Sequence, residues 1–502
     1  MSTPIKIGVI GAGSATFSLG LVKDICLTRS LAGSLVHFMD IDEERLAMIQ
    51  RLAERYSDEL GSDLQIESTT DRRTALQDAD FVINTAAVKS HHHQRDMRDV
   101  TARHGYHYGG VSLGSFYNFN LMLGVARDME EICPDAWLIQ SGNPVFQGCT
   151  LMTRETDIKI CGLCHGHYGV YEIARVLGLK VEKMTDLTWQ APGLNHNIWL
   201  TDFIHEGKDA YPILDAWIKE EGERYWNTHV AERTHDIQMS RGAIHQYQMF
   251  GLMPIGDSPR RGGWWYHTNQ ETKFRWFGQP WGGPDTELAR PYFVENLEKR
   301  IAQMTRIAND AKASLVAELG GEKTREQQVP IIDGLVNNHE GYFQVNVPNN
   351  GALPGIPDDV VVEVPAVVNM KGIQPLRVPP LPAKIMLEQI LPEWLEMERE
   401  LLAYRTGDRS MLLYNALESH QTHAYDQAAA VLDDLLAMPG RDGDGSAGAA
   451  DPQPRVVARA ALSVWSIASG GVVATANDRP DRAGIWLADR LRRAGRGHDW
   501  GC

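Results

Sequence analysis

A chain of 502 residues is longer than one hydrophobic core usually serves, so its length predicts two packed domains rather than a single small module. With 43% hydrophobic residues, 23% charged residues and 13 tryptophans, it has enough apolar material to offset its folding entropy, which excludes a disordered or fibrous protein. The 65 acidic side chains outnumber the 49 basic ones, and the formal charge of -16 repels nucleic-acid phosphates and anionic lipid, so neither is an expected partner.

The opening residues MSTPIKIGVIGAG lack the basic stretch and long apolar core of a secretory signal, and no stretch approaches 18 uninterrupted apolar residues. A cytoplasmic protein without a membrane partner is expected. Six cysteines, Cys26, Cys133, Cys149, Cys161, Cys164 and Cys502, are too few and too scattered for a disulfide framework. Reduced thiols follow, and a cysteine with a chemical task would be a metal ligand or a nucleophile.

From Ile5 to about Leu163 short apolar runs alternate with helical patterns. Ile5–Ile10, Leu35–Met39, Phe81–Thr85, Ala136–Ser141 and Lys159–Leu163 are bounded by Gly, Asp or Asn and read as strands buried on both faces. The fold class is therefore α/β, a Rossmann-like doubly wound parallel sheet over residues 1–195. Farther on, Pro291–Leu315 and Ala383–Leu402 read as long helices, and Tyr342–Val347 and Val360–Val368 as strands, which predicts a second, α+β domain over 196–440. Residues 441–502 hold nine Arg and seven Asp but neither Lys nor Glu, and open on a linker-like RDGDGSAGAADPQPR. Their composition favours a disordered tail over a small oligomerising element.

Gly11 and Gly13 in GVIGAGS lie where the first strand meets a helix. Gly11 permits the tight turn, Gly13 lets the backbone approach a pyrophosphate, and Ser14 opens a helix whose N-terminal N–H groups favour an anion. Asp40, 27 residues after Gly13, ends the second strand, where a carboxylate would accept hydrogen bonds from an adenosine ribose; an acid there favours NAD over NADP. The third glycine position of the usual dinucleotide motif is Thr16, and a glycine turn without a cofactor is the alternative.

A second constellation is spread along the chain: Asn143-Pro144 after one strand, Cys164-His165 at the end of the next, and Asn195-His196 in GLNH. Open α/β sheets bind ligands at the carboxyl ends of their strands, so Asn143 and Cys164 should face one crevice. A thiolate and an imidazole suit a borderline divalent metal, with substrate and water completing its shell. A thioredoxin-like Cys161–Cys164 pair and a hydrogen-bonded core histidine are the competing readings.

Together, Ile7–Ser14 (IGVIGAGS), Asp40, Asn143-Pro144, Gly162–His165 (GLCH), Gly193–His196 (GLNH), Pro254–Asp257 (PIGD) and GALPGIPDDVVVEVP at 351–365 resemble glycoside hydrolase family 4. That family comprises glycosidases dependent on NAD and a divalent metal, and the likeness runs from Ile5 to about Pro439. CHGHYGVYE at 164–172 and NPVF at 143–146 are most similar to the α-glucuronidase branch, whereas KSHHHQRDMRD at 89–99 matches no branch. The resemblance implies oxidation of the sugar at C3 by NAD, removal of the C2 proton by Asp257, elimination of the aglycone, addition of water and return of the hydride. It implies a metal, Mn2+ by preference, on Cys164 and His196, with Asn143 and Asn195 contacting the sugar and His165 assisting departure of the leaving group or orienting its neighbours.

A uronate needs a cation, and Arg260 and Arg261 would offer guanidinium groups to its carboxylate, with a solvated basic loop as the alternative. His91, His92 and His93 read as a polar loop without a role. A homodimer or homotetramer is expected. Other α-glycosides, including α-galacturonides, α-glucosides and α-galactosides, remain open, as does a plain NAD-dependent 2-hydroxy-acid dehydrogenase, which would lack the metal cysteine and GLNH.

Overall fold

Six strands near the start of the chain are β1 (Lys6–Ile10), β2 (Leu35–Met39), β3 (Gln65–Thr69), β4 (Phe81–Asn84), β5 (Trp137–Gln140) and β6 (Lys159–Gly162). In the computed structural model, which describes residues 2–88, 91–107, 114–183 and 186–438, they run parallel in the order β3-β2-β1-β4-β5-β6. The expectation for 441–502 lies outside these residues. Adjacent side chains of one strand serve different cores: Ile83 and Ile139 pack with one apolar cluster, Val82 and Leu138 with another. Burial on both faces is why these strands read as unbroken apolar runs. The sixth strand, β3, is absent from the sequence reading because QIEST at the sheet edge is largely exposed and lacks such a run.

Beyond β6 the sheet continues with antiparallel strands. β7 (Leu187–Gln190), β10 (Asp202–His205) and β11 (Lys208–Asp209) form a separate three-stranded sheet. By contrast β8 (Gly193–Leu194), β9 (Asn197–Leu200), β12 (Met253–Ile255), β13 (Gly341–Pro348) and β14 (Val361–Asn369) extend the main sheet in the order β6-β13-β14-β8-β9-β12, and β15 (Gly372–Pro375) pairs with β14. Asn346 of β13 lies opposite Gly162 of β6, and Glu363 of β14 opposite Gly193 of β8. The α+β second domain thus shares a sheet with the Rossmann-like part, which places GLCH, GLNH and PIGD at the carboxyl ends of strands of one sheet. No helix among the described residues is long and apolar enough to cross a membrane.

Three elements differ from the sequence reading. The expected helix Pro291–Leu315 is the helix Ala289–Asn309 followed by a separate one, Leu315–Leu319, begun by Ser314, whose Oγ accepts from Ala317 N–H at 3.2 Å. The helix expected over Ala383–Leu402 is interrupted by a π-turn at Met386–Ile390 before continuing as Leu391–Thr406; Pro392, which has no N–H to donate, sits at the join. His91, His92 and His93 begin the helix His91–Arg103 rather than forming a loop, and His93 packs edge-on to Tyr117 with ring centroids 6.5 Å apart. Gln94 to Arg103 are enough good helix formers to override the polar appearance of the triplet.

Glu400, on the helix Leu391–Thr406, is 6% exposed. Burial pushes its carboxyl up to about 8, with a hydrogen bond from Ser115 opposing and Glu396 adding to the shift. In the folded state Glu400 therefore keeps its proton where an unfolded carboxyl, with its ordinary value of 4.5, has lost it. Its contribution to stability is intact below about pH 4.5 and declines as pH rises toward 8, by roughly 1.4 kcal/mol per unit. Glu400→Gln should flatten this dependence, so that the fall in Tm between about pH 5 and 8 is smaller than in the wild type; identical falls would show that Glu400 ionises without cost.

Candidate active site

The turn after β1 is tied to the end of β2. The N–H groups of Gly11 and Ala12 donate to the Met39 carbonyl at 2.9 and 3.0 Å, and Gly13 N–H donates to Asp40 Oδ2 at 2.7 Å. Gly11 has φ +87°, and a Cβ there would stand 2.6 Å from Ala86 Cα. A Cβ on Gly13 would meet Asp40 Oδ2 at 2.7 Å, so glycine is needed for the carboxylate to reach that N–H. Asp40 Oδ1 also accepts from Asp42 N–H at 3.0 Å, and the carboxylate keeps lone pairs for further donors. Ser14 is exposed at the head of the helix Ala15–Cys26, whose first N–H groups have no partner within the helix. Close backbone, a helix N-terminus and a strand-end acid make a donor set that fits a dinucleotide.

Ser14 opens onto a cleft of about 2460 Å³ that Asn143, Cys164, His165, His196 and Asp257 also line. What brings the last four together is a contact between two loops. Gly256 follows β12 with φ +67°, and a Cβ on it would stand 2.4 Å from the Cα of Gly166, two residues past Cys164. Gln238 clamps the same turn: its Nε2 donates to the Pro254 carbonyl at 2.6 Å and its Oε1 accepts from Gly256 N–H at 2.7 Å.

Asn195 and His196 form the two-residue connection between β8 and β9, where Leu194 lies opposite Asn197. His196 has φ +68°, a left-handed conformation that a residue with a Cβ adopts at a cost of about 1–3 kcal/mol when the surroundings impose it. Asn195 holds the turn by donating from Nδ2 to the buried Glu363 Oε2 at 3.0 Å. The strained turn aims His196 Nε2 at Asp257 Oδ2, 3.6 Å away. Burial lowers His196 to about 4 against the pull of Asp257, so the imidazole is neutral, the form that ligates metals. Burial raises the Cys164 thiol, and the nearby Glu363 and Asp257 add to the effect. A divalent cation would reverse that balance and take the thiolate.

Asp257 precedes the short helix Ser258–Arg261, yet its carboxylate caps no N–H of that helix. Arg260 Nε lies 3.3 Å from Asp257 Oδ1 instead. Burial pushes the Asp257 carboxyl up, but Arg260, His196 and His235 outweigh it and hold it well below the usual carboxylate range. Among the described residues no three His, Cys, Asp or Glu side chains form a ready metal cluster. Cys164 and His196 both border the cleft, and a metal held by these two would need substrate or water to complete its shell.

Other expected residues stand differently. Arg260 bridges Asp257 and Asp285, with Nη1 2.6 Å from Asp285 Oδ2, and Arg261 Nη2 lies 3.0 Å from the buried Glu393 Oε1. Both guanidinium groups are engaged by carboxylates of the protein rather than presented as a clamp, and neither borders the cleft. Asn195 likewise does not border the cleft itself; its side chain is held by Glu363 and reaches Cys164. His165, mostly exposed, pairs through Nε2 with Glu326 Oε2 at 2.7 Å, which raises the imidazole above its ordinary value. Cys161 is buried in β6, its thiol pushed up by burial to about 12, and is no redox partner for Cys164. Sequence reasoning missed Glu326, Gln238 and Asp285, which sit outside any quoted motif, and gave no role to Glu363 within the 351–365 stretch; all four act on residues distant in the chain.

Residues 6–179 match the family described as family 4 glycosyl hydrolase, and residues 191–422 its C-terminal domain. The chain belongs to glycosyl hydrolase family 4. An alpha-galactosidase of Bacillus subtilis (strain 168) is 27% identical over 390 residues, 76% of this chain and 85% of that protein. An alpha-glucosidase of Erwinia rhapontici is 27% identical over 452 residues, 81% of this chain and 92% of that protein. The structure of a 6-phospho-alpha-glucosidase from gut microorganisms, in complex with NAD and Mn2+, superposes with a TM-score of 0.68 at 18% identity, over 86% of this chain and 98% of that one.

The Gly166–Gly256 approach gives a test of the site in this family 4 hydrolase. Gly256→Ala adds a Cβ where backbone stands and penalises the left-handed turn, so it should displace Asp257 from His196 and lower glycoside turnover about 10²-fold. Circular dichroism should remain that of the wild type. Near-normal turnover would show that the two loops need not touch.

Proposed function

We propose that this hydrolase cleaves an α-glycoside, foremost an α-glucuronide, by a redox-assisted elimination in which Asp257 is the base. The observation that carries the reading is the meeting of Cys164, His196 and Asp257 in one cleft, with His196 and Asp257 3.6 Å apart. Gly11, Gly13, Ser14 and Asp40 would hold NAD, which when bound supplies a reversible hydride acceptor. Cys164 and His196 would hold a divalent metal, Mn2+ by preference, which supplies Lewis acidity at sugar oxygens.

The protein's own groups do the rest. Asn143, exposed in the cleft wall, orients a sugar hydroxyl. Asp257 takes the proton from C2, and Arg260 keeps its carboxylate ionised and aimed. His165, whose pairing with Glu326 favours the protonated imidazole, would give a proton to the departing oxygen. For a uronate, the cations available to the C6 carboxylate are the arginines that border the cleft, among them Arg175 and Arg233, since Arg260 and Arg261 are engaged.

Aryl α- and β-glycosides, uronides and 6-phosphates, assayed with NAD and Mn2+ under reducing conditions, test the substrate. The α-glucuronide should be cleaved fastest, without NADH accumulating in step with product; stoichiometric NADH would point to a plain dehydrogenase, and faster cleavage of a neutral or phosphorylated sugar would reassign the substrate. In deuterated water the product should carry deuterium at C2. Asp257→Asn should cost roughly 10²–10⁴ in rate. Near-normal turnover of that variant, or a product without C2 exchange, would remove Asp257 from the chemistry.

A further inference from the structure

His196 and Asp257, 3.6 Å apart, come from different strands, and two sets of contacts join the segments that carry them. The first is local. Ser258, buried and next to Asp257, accepts at Oγ from Ile198 N–H at 2.8 Å, and the same hydroxyl lies 3.0 and 2.6 Å from the Ile198 and Ile255 carbonyls. It fastens the start of the helix Ser258–Arg261 to β9 and to the end of β12.

The second set comes from a helix nearly 200 residues away in the chain. Asn197, the residue after His196, is 3% exposed. Its Nδ2 donates to the Gln389 carbonyl at 3.0 Å and to Glu393 Oε2 at 2.8 Å, while its Oδ1 accepts from Trp199 Nε1 at 2.9 Å, which fixes the orientation of the amide. The other oxygen of Glu393 lies 3.0 Å from Arg261 Nη2, four residues beyond Asp257, and Gln389 Nε2 donates to the Gly262 carbonyl at 3.4 Å. Gln389 belongs to the π-turn Met386–Ile390 and Glu393 to the helix that follows it. Residues four apart on a helix share a face, and π-turns recur at functional sites. One face of this interrupted helix therefore grips the residue after His196 and the end of the short helix after Asp257.

Glu393 is buried and does not line the cleft. Its burial raises the carboxyl against the pull of Arg261, and apolar side chains often fill such a position at no cost in stability. What the carboxylate adds is a bridge of fixed length between two loops. β9 is also held by its own pairing to β8 and β12, so loss of the bridge would move the short helix, and Asp257 with it, rather than His196.

We infer that Glu393 is a positioning residue for proton abstraction at C2, joining Asn197 to Arg261 so that the Asp257 carboxylate keeps its place beside His196. The inference rests on the reading of Asp257 as the base and adds a residue that acts from behind the cleft wall.

The test uses the full chain with NAD and Mn2+ and the aryl glycoside cleaved fastest in the substrate assay, unlabelled or deuterated at C2 or at C3. Glu393→Gln keeps an oxygen for Asn197 and removes the charge that holds Arg261. Its kcat should fall about 10–100-fold with KM within about threefold. The isotope effect of C2 deuterium on kcat should rise and that of C3 deuterium should not, because the slowed step is proton transfer to Asp257. The double variant Arg261→Met/Glu393→Gln removes both charges, so its Tm should return toward that of the wild type while kcat stays low. Turnover that recovers in full with Tm, or a Glu393→Gln enzyme whose C2 isotope effect is unchanged, would reduce Glu393 to a structural ion pair and overturn the inference. If neither variant folds, Arg261→Lys keeps the charge without the planar fork and should lose about 3–10-fold in kcat with the same rise in the C2 effect; an unchanged C2 effect there would overturn the inference equally. A wild type that takes up no deuterium at C2 from deuterated water would instead overturn the reading of Asp257 as the base, and the positioning role with it.

Discussion

Two glycines decide where Cys164, His196 and Asp257 sit. Gly166 and Gly256 approach so closely that a Cβ on Gly256 would stand 2.4 Å from its neighbour's Cα. The first belongs to the loop that leaves the parallel half of the sheet, the second to the loop that leaves its antiparallel extension. Because neither has a side chain, the ends of β6 and β12 fold onto each other across the β13–β14 hairpin, and Cys164, His196 and Asp257 share a wall. A parallel sheet alone would present Asn143 and Cys164 at its carboxyl edge. The antiparallel extension supplies the other half of the site.

Holding a carboxylate and an imidazole close together in the partly desolvated wall of a cleft requires compensation. Desolvation alone would protonate Asp257 and leave His196 without a charged neighbour. Arg260 tips the balance toward the carboxylate, and the same guanidinium reaches the buried Asp285. The strained φ of His196 is sustained in a similar way, by Asn195 gripping Glu363 on one side and β9 pairing with β12 on the other. Site geometry here depends on buried polar pairs more than on the apolar core.

How much of this was legible in the sequence follows from what each part needs. The parallel strands were legible, because burial on both faces writes an apolar run, and β3 was not, because an edge strand is spared that requirement. Cys164, His196 and Asp257 were singled out from motifs, since each stands in a short string with a glycine beside it, and the fold brings all three to one cleft. Their supports were not found: Glu326, Gln238, Glu363 and Asp285 act through the fold on residues 18 to 168 positions away, and no local pattern records such pairings. The roles first suggested for Arg260 and Arg261 illustrate the same limit. Spacing shows that two arginines follow Asp257, but only the packing of Asp285 and Glu393 against them shows which carboxylates they meet.

The stretch KSHHHQRDMRD, which fits no branch of the family pattern, connects to the site by this route. Its Arg98 lies on the helix His91–Arg103, with Nη1 2.9 Å from Asp285 Oδ1. Asp285 therefore sits between two arginines, Arg98 on one side and Arg260 on the other, and despite its burial both hold it well below the usual carboxylate range. An unbroken row of alternating charge runs from Arg98 through Asp285 and Arg260 to Asp257, whose carboxylate faces the neutral His196. The arginines and carboxylates of this row offset one another's desolvation, so the position of Arg260, and through it the direction of the Asp257 carboxylate, depends on Arg98 of a helix distant in the chain from the Asp257 loop.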